Sequence, residues 1–468
     1  MESRKRIHIR YKEEILSGEI SPLLIKLGLP GALGLFLQNS FNLVDRLFVA
    51  HLGEEELSAV GIAFIIQSFL MALGGGLSSG LRSHSSRSAG ADKLDKIREG
   101  AHQGFYLVLL AGILIPLTGV ILTPFFYRTL AVGQDIFLPA VAYTNIILWG
   151  AFFQFFFVYG NSLLRGIGEM KIPLKLLILS IVINLILDPI LIFGWGPVPP
   201  LGVRGAALAT VIARATSIII LFRILVREGF LTPSSFFREK IEVETFRSIM
   251  KVGFPAMFNR SLSSFSLGFI YWLIAPFGAG ATAAYTACFT FRRIVLIPSH
   301  GFSGGAVTMM GVNNGAQQFK RTGKVYLTNI RLTAIVLIPI SLLLIIFARP
   351  LLSLMLKGEE SLEQGILMLR LLVPSYLFIA MRTSASGGLN SLGEGGPAML
   401  VTLGHNFFMT LPLGWFLSRH FGLAGLCTGL TGGYILSAIL GISLFFYYLK
   451  RYERNNQNSD SPEQRESY

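Results

Sequence analysis

The chain has 468 residues, a net charge of +14, 52% hydrophobic side chains and only 14% charged ones. Soluble domains carry roughly 25% charged residues, so this chain cannot coat a water-facing surface, and its mean hydropathy of +0.60 excludes a soluble globular enzyme. The basic excess does not mark a nucleic-acid binder, because the Lys and Arg residues gather between apolar runs.

In chain order, MESRKRIHIRYKEE has no apolar stretch behind its basic residues, so it reads as an interfacial segment over 1–22 rather than a signal peptide. Apolar runs of about 20 residues follow, each able to cross a hydrocarbon core of roughly 30 Å as a helix. They lack the two-residue alternation of barrel strands. The pattern predicts six spans over 23–49, 57–81, 101–124, 137–161, 173–194 and 204–226, forming an N-lobe over 23–226. A cytoplasmic linker over 227–249 leads to a C-lobe over 250–449, with spans at 250–275, 281–305, 325–347, 364–390, 397–418 and 423–449. The polar tail over 450–468 reads as disordered. The fold class is therefore an all-α membrane protein of twelve transmembrane helices in two six-helix lobes.

Basic residues set the orientation. Arg4, Lys5, Arg6, Arg10 and Lys12 precede span one; Arg82, Arg87, Lys93, Lys96 and Arg98 follow span two; Lys171, Arg227, Arg238, Lys240, Arg247, Lys320, Arg321 and Lys324 continue on the same side. The positive-inside rule puts both termini in the cytoplasm, with the protein in the cytoplasmic membrane. The chain also repeats itself: KLGLP begins at Lys26 and KVGFP at Lys251, a shift of 225 that also relates Gly53 to Gly278, Gly80 to Gly305, Gly90 to Gly315 and the IGE at 167–169 to the LGE at 392–394. Six spans per repeat is an even number, so the halves are parallel and related by a pseudo-two-fold axis along the membrane normal.

Two acids lie inside spans. Asp188, in INLILDPILIF, has Asn184 one turn and Ser180 two turns earlier on the same face, and Pro189 removes a backbone donor beside it. A carboxylate at that depth costs several kcal/mol and ordinarily faces a cavity; the competing reading is a boundary position satisfied by water. In span one, Gln38, Asn42 and Asp45 form a polar stripe at i, i+4 and i+7, with Pro30 placed to bend the helix. The competing reading for Asp45 is a local pair with Arg46, although adjacent residues do not face each other on a helix. The second lobe has no acid in its spans: from Lys251 to Lys450 the acids are Glu359, Glu360, Glu363 and Glu394, all expected in loops. Its spans carry Arg260, Arg292, Arg293 and Arg382 instead, either in a cavity or snorkelling to headgroups. Arg214, one turn beyond Thr210, is a possible counter-ion for either acid.

The remaining signals are negative or structural. Cys288 and Cys427 lie in apolar runs and suggest no disulfide. The seven His residues show no metal-ligand spacing, and no cofactor or metal site is expected. The glycines of GGGLSSG at 74–80 and GFSGG at 301–305 read as helix-packing or hinge points. No nucleophile motif or His/Asp pairing supports a membrane-embedded enzyme.

GLP…FNLVDRLFVAHLG and LLRGIGEMKIP…INLILDPILIFG…LGVRGAALAT resemble the multidrug and toxic compound extrusion (MATE) family of the MOP flippase superfamily, nearest its DinF-like branch. The resemblance covers nearly the whole chain and implies a V-shaped fold. It also implies export of a small drug-like or amphipathic organic molecule by proton or sodium antiport with alternating access. It assigns cation coupling to Asp45, Tyr143, Asn184, Asp188 and Thr210, with sodium held, if at all, by Asp45, Asn184, Asp188 and Thr210, and it matches Pro30 to a bending proline. The C-lobe carboxylates of NorM-like and eukaryotic members are missing. The substrate is expected to meet Gln38, Asn42, Arg260, Arg382 and Arg292, with Arg293 in support. The partners expected are a small-molecule substrate and the bilayer, with the chain acting as a monomer. The alternative is a flippase for a lipid-linked or lipid-like anion, and a channel is a weaker rival.

Overall fold

The computed structural model describes residues 7–130, 133–232 and 242–459. An amphipathic helix, α1 (Ile7–Ser17), precedes the first long helices: α2 (Ile20–Ala50), α3 (Glu54–Gly90) and α4 (Leu94–Thr129). Next come α5 (Gln134–Trp149) and α6 (Ala151–Gly166), bent by 47° at Gly150, then α7 (Lys171–Phe193) and α8 (Val203–Arg227). The second half runs through α9 (Val243–Ile274), a 3-10 turn (Ala275–Phe277), α10 (Gly278–Val295), α11 (Ile297–Gly315), α12 (Phe319–Ile346) and the short α13 (Ala348–Leu352). It ends with α14 (Glu359–Leu372) and α15 (Ser375–Ser391), bent by 48°, then α16 (Gly395–Leu403), a π-helical segment (Gly404–Thr410) and α17 (Leu411–Ser459).

Among the described residues, eight helical runs are long and apolar enough to cross a membrane, or ten when each bent pair counts as one span. Two of the eight, of 53 and 64 residues, would extend about 80 and 95 Å at ~1.5 Å per residue, far beyond one crossing. Each folds back at a glycine in the left-handed region, Gly278 (φ 95°) and Gly422 (φ 57°). Across the first turn Tyr271 meets the Thr286 hydroxyl at 3.2 Å. Across the second, a Cβ on Gly425 would lie 2.0 Å from the Leu417 carbonyl oxygen and one on Gly429 2.5 Å from that of Leu413. Each overlong run is thus a hairpin, which brings the candidate crossings among the described residues to twelve.

The repeat is visible in the backbone. Three pairs of positive-φ residues lie at the sequence offset: Asp92 (60°) with Gln317 (59°), Gly53 (142°) with Gly278 (95°), and Gly168 (93°) with Gly393 (85°). Packing between the halves is reciprocal. A Cβ on Gly90 would strike the Val312 carbonyl, and one on Gly315 would strike that of Arg87. Gly76 lies against Met257 as Gly301 lies against Ala32, and Gly80 against Gly253 as Gly305 against Gly28. So α3 packs on α9 as α11 packs on α2, each half lending a helix to the other, and small residues let the backbones approach.

One apolar core fills the first half and continues into the basic end of the second through Ala306, Met309, Val312, Tyr326 and Phe445. The rest of the second half has its own core around Tyr285, Cys288, Tyr376 and Leu426. Polar clasps follow the same division. At the basic end Arg87 donates to the Leu392 carbonyl (3.3 Å) and to Ser248 (3.1 Å), Thr308 to the Arg165 carbonyl (2.8 Å), and Ser83 to that of Asn390. Further along, the halves touch through Arg293 and Asn39 at 3.4 Å. The polar clasps between the halves are thus gathered mainly at the basic end.

Several expectations need correction. The tail is not disordered from residue 450: α17 continues to Ser459, and Tyr452 donates to Glu394 at 2.7 Å; residues 460–468 lie outside the described residues. The end of the predicted linker is helical from Val243, while 233–241 lie outside the described residues. Glu359, Glu360 and Glu363 open α14 rather than lying in a loop, where acids favour the helix N-terminus and Arg349 pairs with Glu363 at 2.7 Å and with Glu359. Spans four, eight and ten are not straight. Pro298 and Pro374 account for two breaks, because proline lacks the N–H and disfavours helix at the residue before it.

Candidate functional site

The acid cluster is built on α2, α5, α7 and α8. α7 and α8 form a tight hairpin, since a Cβ on Gly205 would lie 2.3 Å from the Leu191 carbonyl oxygen. That approach faces Thr210 toward Asn184. The Asn184 amide donates to Asp188 Oδ1 at 2.6 Å, and Thr210 donates to Asn184 Oδ1 at a long 3.5 Å and to the Ala206 carbonyl at 3.1 Å. Asp188 is fully buried and Asn184 nearly so. Asp188 therefore lies inside protein, not at a wetted boundary.

Two oxygens in this cluster have nothing to accept from. Asp188 Oδ2 and Asp45 Oδ1 are buried without a hydrogen-bond partner among the described residues. Arg46 makes no ion pair with Asp45 among the described residues; its guanidinium sits 5.4 Å from the centre of the Phe64 ring on α3. Arg214 makes no ion pair with either acid among the described residues. Tyr143, buried on α5, lies within electrostatic reach of Asp45, Asp188, Arg214 and Arg46. A buried carboxylate oxygen with no donor is unstable as a bare anion and takes up a proton or a small cation. Among the described residues, no three His, Cys, Asp or Glu side chains converge as a metal site.

The second feature is a chain of three adjoining cavities of about 290, 350 and 530 Å³ between the halves, all lined by His300. Pro30 and Gln38 of α2 line the first, and α2 runs through Pro30 as one helix. The Gln38 amide donates to Asn42 Oδ1 at 3.0 Å, so the polar stripe is partly self-satisfied. Arg260 and Arg382 line the second cavity, and Arg292, Arg293 and Arg382 the third. The Arg260 guanidinium rests on the α3 backbone, where a Cβ on Gly75 would come within 2.9 Å of its Cζ. Arg292 is committed locally: it donates to the Tyr434 hydroxyl at 2.7 Å and stacks 4.6 Å from the Phe289 ring centre. It braces the wall more than it offers a free fork.

Sequence reasoning missed Arg82 and Arg165, which line the first cavity. In sequence Arg82 is one of the basic residues that follow span two, but α3 runs eight residues beyond it. The available signal was the helical phase of Arg82 with the small residues Ser78, Ser79 and Gly75, on the face that meets the other half.

Two parallel six-helix repeats around a shared cavity, with buried carboxylates in one of them, define a secondary-transporter architecture. The chain belongs to the MatE family, whose sequence model matches it twice, over residues 30–190 and 255–416, in register with the internal repeat. It is a multi-pass membrane transporter of the multidrug-efflux type, not an enzyme. It is 24% identical over 436 residues to the FAD transporter of Shewanella oneidensis, covering 92% of this chain and 95% of that one. It is 25% identical to the probable multidrug resistance protein NorM of Thermotoga maritima, covering 95% of each. Its fold matches that of a MOP superfamily transporter from Pyrococcus furiosus, described by the reverse polarity of its binding pocket, with a TM-score of 0.86 and 22% identity over 97% of this chain and 100% of that one.

Proposed function

We propose that the protein exports small organic molecules by cation antiport with alternating access, coupling through the first-half acid cluster. The observation that carries this reading is Asp188: fully buried, with one oxygen held by Asn184 and the other without a donor. Such a group gains most from a proton or a sodium ion, and Asp45, Asn184, Tyr143 and Thr210 complete its surroundings. Loading neutralises the pair and releases the cost of keeping bare charge away from water. At 1.36 kcal/mol per pKa unit, a two-unit difference between conformations biases them by about 2.7 kcal/mol, enough to shift the balance of two lobe arrangements. Pro30, in a long helix lining the cavity, is the hinge of this reading.

In this reading the basic end faces the cytoplasm with both termini, so the junction of the halves closes the cytoplasmic side and the cavity opens outward. The chain works as a monomer in the cytoplasmic membrane and belongs to the DinF-like branch. Substrate meets Gln38 and Asn42 on α2 and Arg260, Arg382 and Arg292 on the second half. The FAD transporter is named for a molecule with two phosphates. The arginine lining also favours a second reading, a flippase for an anionic lipid-like substrate. Proteoliposomes with pH and sodium gradients imposed one at a time test the first reading. Substrate movement driven by one gradient and returned as a counter-flux of that ion supports antiport; movement indifferent to both rejects it.

A further inference from the structure

We propose that the cavity between the halves is a polyanion site, organised by Arg82, Arg165, Arg260 and Arg382, that takes organic molecules bearing phosphate. This deepens the reading above by naming its substrate class, and it rests on that reading only for the direction of transport.

The charge inventory comes first. Six arginines (Arg82, Arg165, Arg260, Arg292, Arg293 and Arg382) line the three adjoining cavities, and no Asp or Glu lines any of them. Arg82 is shared by the first and second cavities and Arg382 by the second and third, so the positive groups form one track. The two acids of the spans, Asp45 and Asp188, are not on it.

Donor capacity comes second. Among the described residues, none of the six arginines is in an ion pair. Arg82 reaches one carbonyl, that of Gly304, at a long 3.4 Å, and Arg382 Nε is buried with no acceptor. Ser386 Oγ, in the same cavity wall, is also buried and unpartnered. Guanidinium groups that line a cavity without counter-charge favour an anion entering it. Their planar forks match phosphate and carboxylate oxygens two at a time.

Selectivity follows from the same inventory. A lipophilic cation entering this track would meet like charge at every level, with no carboxylate to offset it. A neutral amphiphile would leave the forks empty. Four unpaired guanidiniums match a group of two or more negative charges, and phosphate supplies that charge in one compact unit. The apolar wall of the first cavity, from Leu27, Leu35, Phe157 and Leu177, accommodates the organic part. The phosphate could be carried by a soluble molecule or by a lipid headgroup entering sideways, and the chemistry at the arginines is shared.

The test uses the full chain in phosphatidylcholine nanodiscs without any ion gradient, with binding read by fluorescence. The probes are riboflavin and flavin mononucleotide, which differ by one phosphate, and rhodamine 6G as a cation. The mononucleotide is expected to bind at least tenfold more tightly than riboflavin, and added salt should weaken it selectively. Arg82→Gln, Arg165→Gln and Arg382→Gln are each expected to cost about tenfold in mononucleotide affinity, as for loss of a charged hydrogen bond, and to leave riboflavin unchanged. Should a glutamine variant fail to fold, the wild-type ratio of the two flavins and its salt dependence still decide the matter. In nanodiscs with phosphatidylglycerol, competition by the lipid in the wild type but not the variants assigns the phosphate to a headgroup; its absence assigns it to a soluble molecule. Equal binding of the two flavins, or tighter binding of the cation, overturns the proposal. Antiport can fail separately: wild-type protein that binds the mononucleotide tightly but moves nothing under either gradient in proteoliposomes keeps this site and rejects the coupling.

Discussion

The Asn184 amide donates to one oxygen of Asp188 at 2.6 Å and leaves the other with no donor, one helical turn along α7. A side chain so placed is half satisfied. Asn184 orients it, and in the antiport reading the second oxygen takes the proton or cation. We expect Asp188→Asn to abolish gradient-driven export while raising thermal stability, because it removes the desolvation cost of a buried carboxylate. Asp45→Asn should behave alike, with a smaller gain, since Asp45 is only partly buried. Counter-flux in proteoliposomes and melting in detergent measure the two effects. Wild-type export by either variant would remove that acid from the coupling site.

Pro30 lies inside α2, and replacing it with Ala restores a backbone donor and straightens the helix energetically by up to about 3 kcal/mol. Pro30→Ala should therefore express normally and turn over slowly. Protease accessibility at two pH values is the companion measurement. Unchanged turnover together with an unchanged accessibility difference would mean α2 does not act as a hinge.

The closed basic end rests on two glycines. A Cβ on Gly90 would sit 2.0 Å from the Val312 carbonyl oxygen, and one on Gly315 would sit 1.9 Å from that of Arg87. Backbone cannot move aside as a side chain can. Gly90→Ala and Gly315→Ala should each force α3 and α11 apart at this end, whereas Gly61→Ala, with nothing within 4 Å, is the neutral control. Ser88, 8% exposed, is the reporter position. In a Ser88→Cys background both glycine variants should raise maleimide labelling several-fold over the control. Labelling that matches the control would show that this junction is not the closure.

The helix number, the repeat and the acid cluster were legible in the sequence, each because its signal is local or periodic. Asp188 stood out because a charge in an apolar run has few innocent explanations, and KLGLP and KVGFP carried the offset of 225 that Gly90 and Gly315 express in space. Arg82 and Arg165 were hidden because an arginine near a helix end looks the same from sequence whether it faces headgroups or a neighbouring half. The helical tail escaped for a related reason. KRYERNN reads as a solvated segment until Tyr452 is seen bonded to Glu394, a contact between residues 58 apart. Tertiary partners, absent from any local pattern, decided both cases.

The first and last described helices, α1 and α17, are fastened to repeat-related glutamates. Tyr11 on α1 donates to Glu169 Oε2 at 2.9 Å, and Tyr452 on α17 donates to Glu394 Oε1 at 2.7 Å. Glu169 does more: its Oε1 accepts from the backbone N–H groups of Lys171 and Ile172 at 2.6 and 3.0 Å, capping α7, and it is 6% exposed. Glu394 has Lys251 at 3.1 Å instead, a contact whose lysine is half exposed and therefore contributes little. Glu169→Ala strips the cap of α7 and removes the acceptor that Tyr11 uses, and should cost about 2–4 kcal/mol. Tyr11→Phe and Tyr452→Phe each remove one bond and should cost about 1 kcal/mol. Thermal unfolding midpoints in detergent should thus fall most for Glu169→Ala and by similar, smaller amounts for the two tyrosine variants. If Tyr11→Phe lowers the midpoint as far as Glu169→Ala does, the glutamate acts through α1 and its capping of α7 contributes nothing. If neither moves the midpoint, α1 is not anchored at Glu169 in solution.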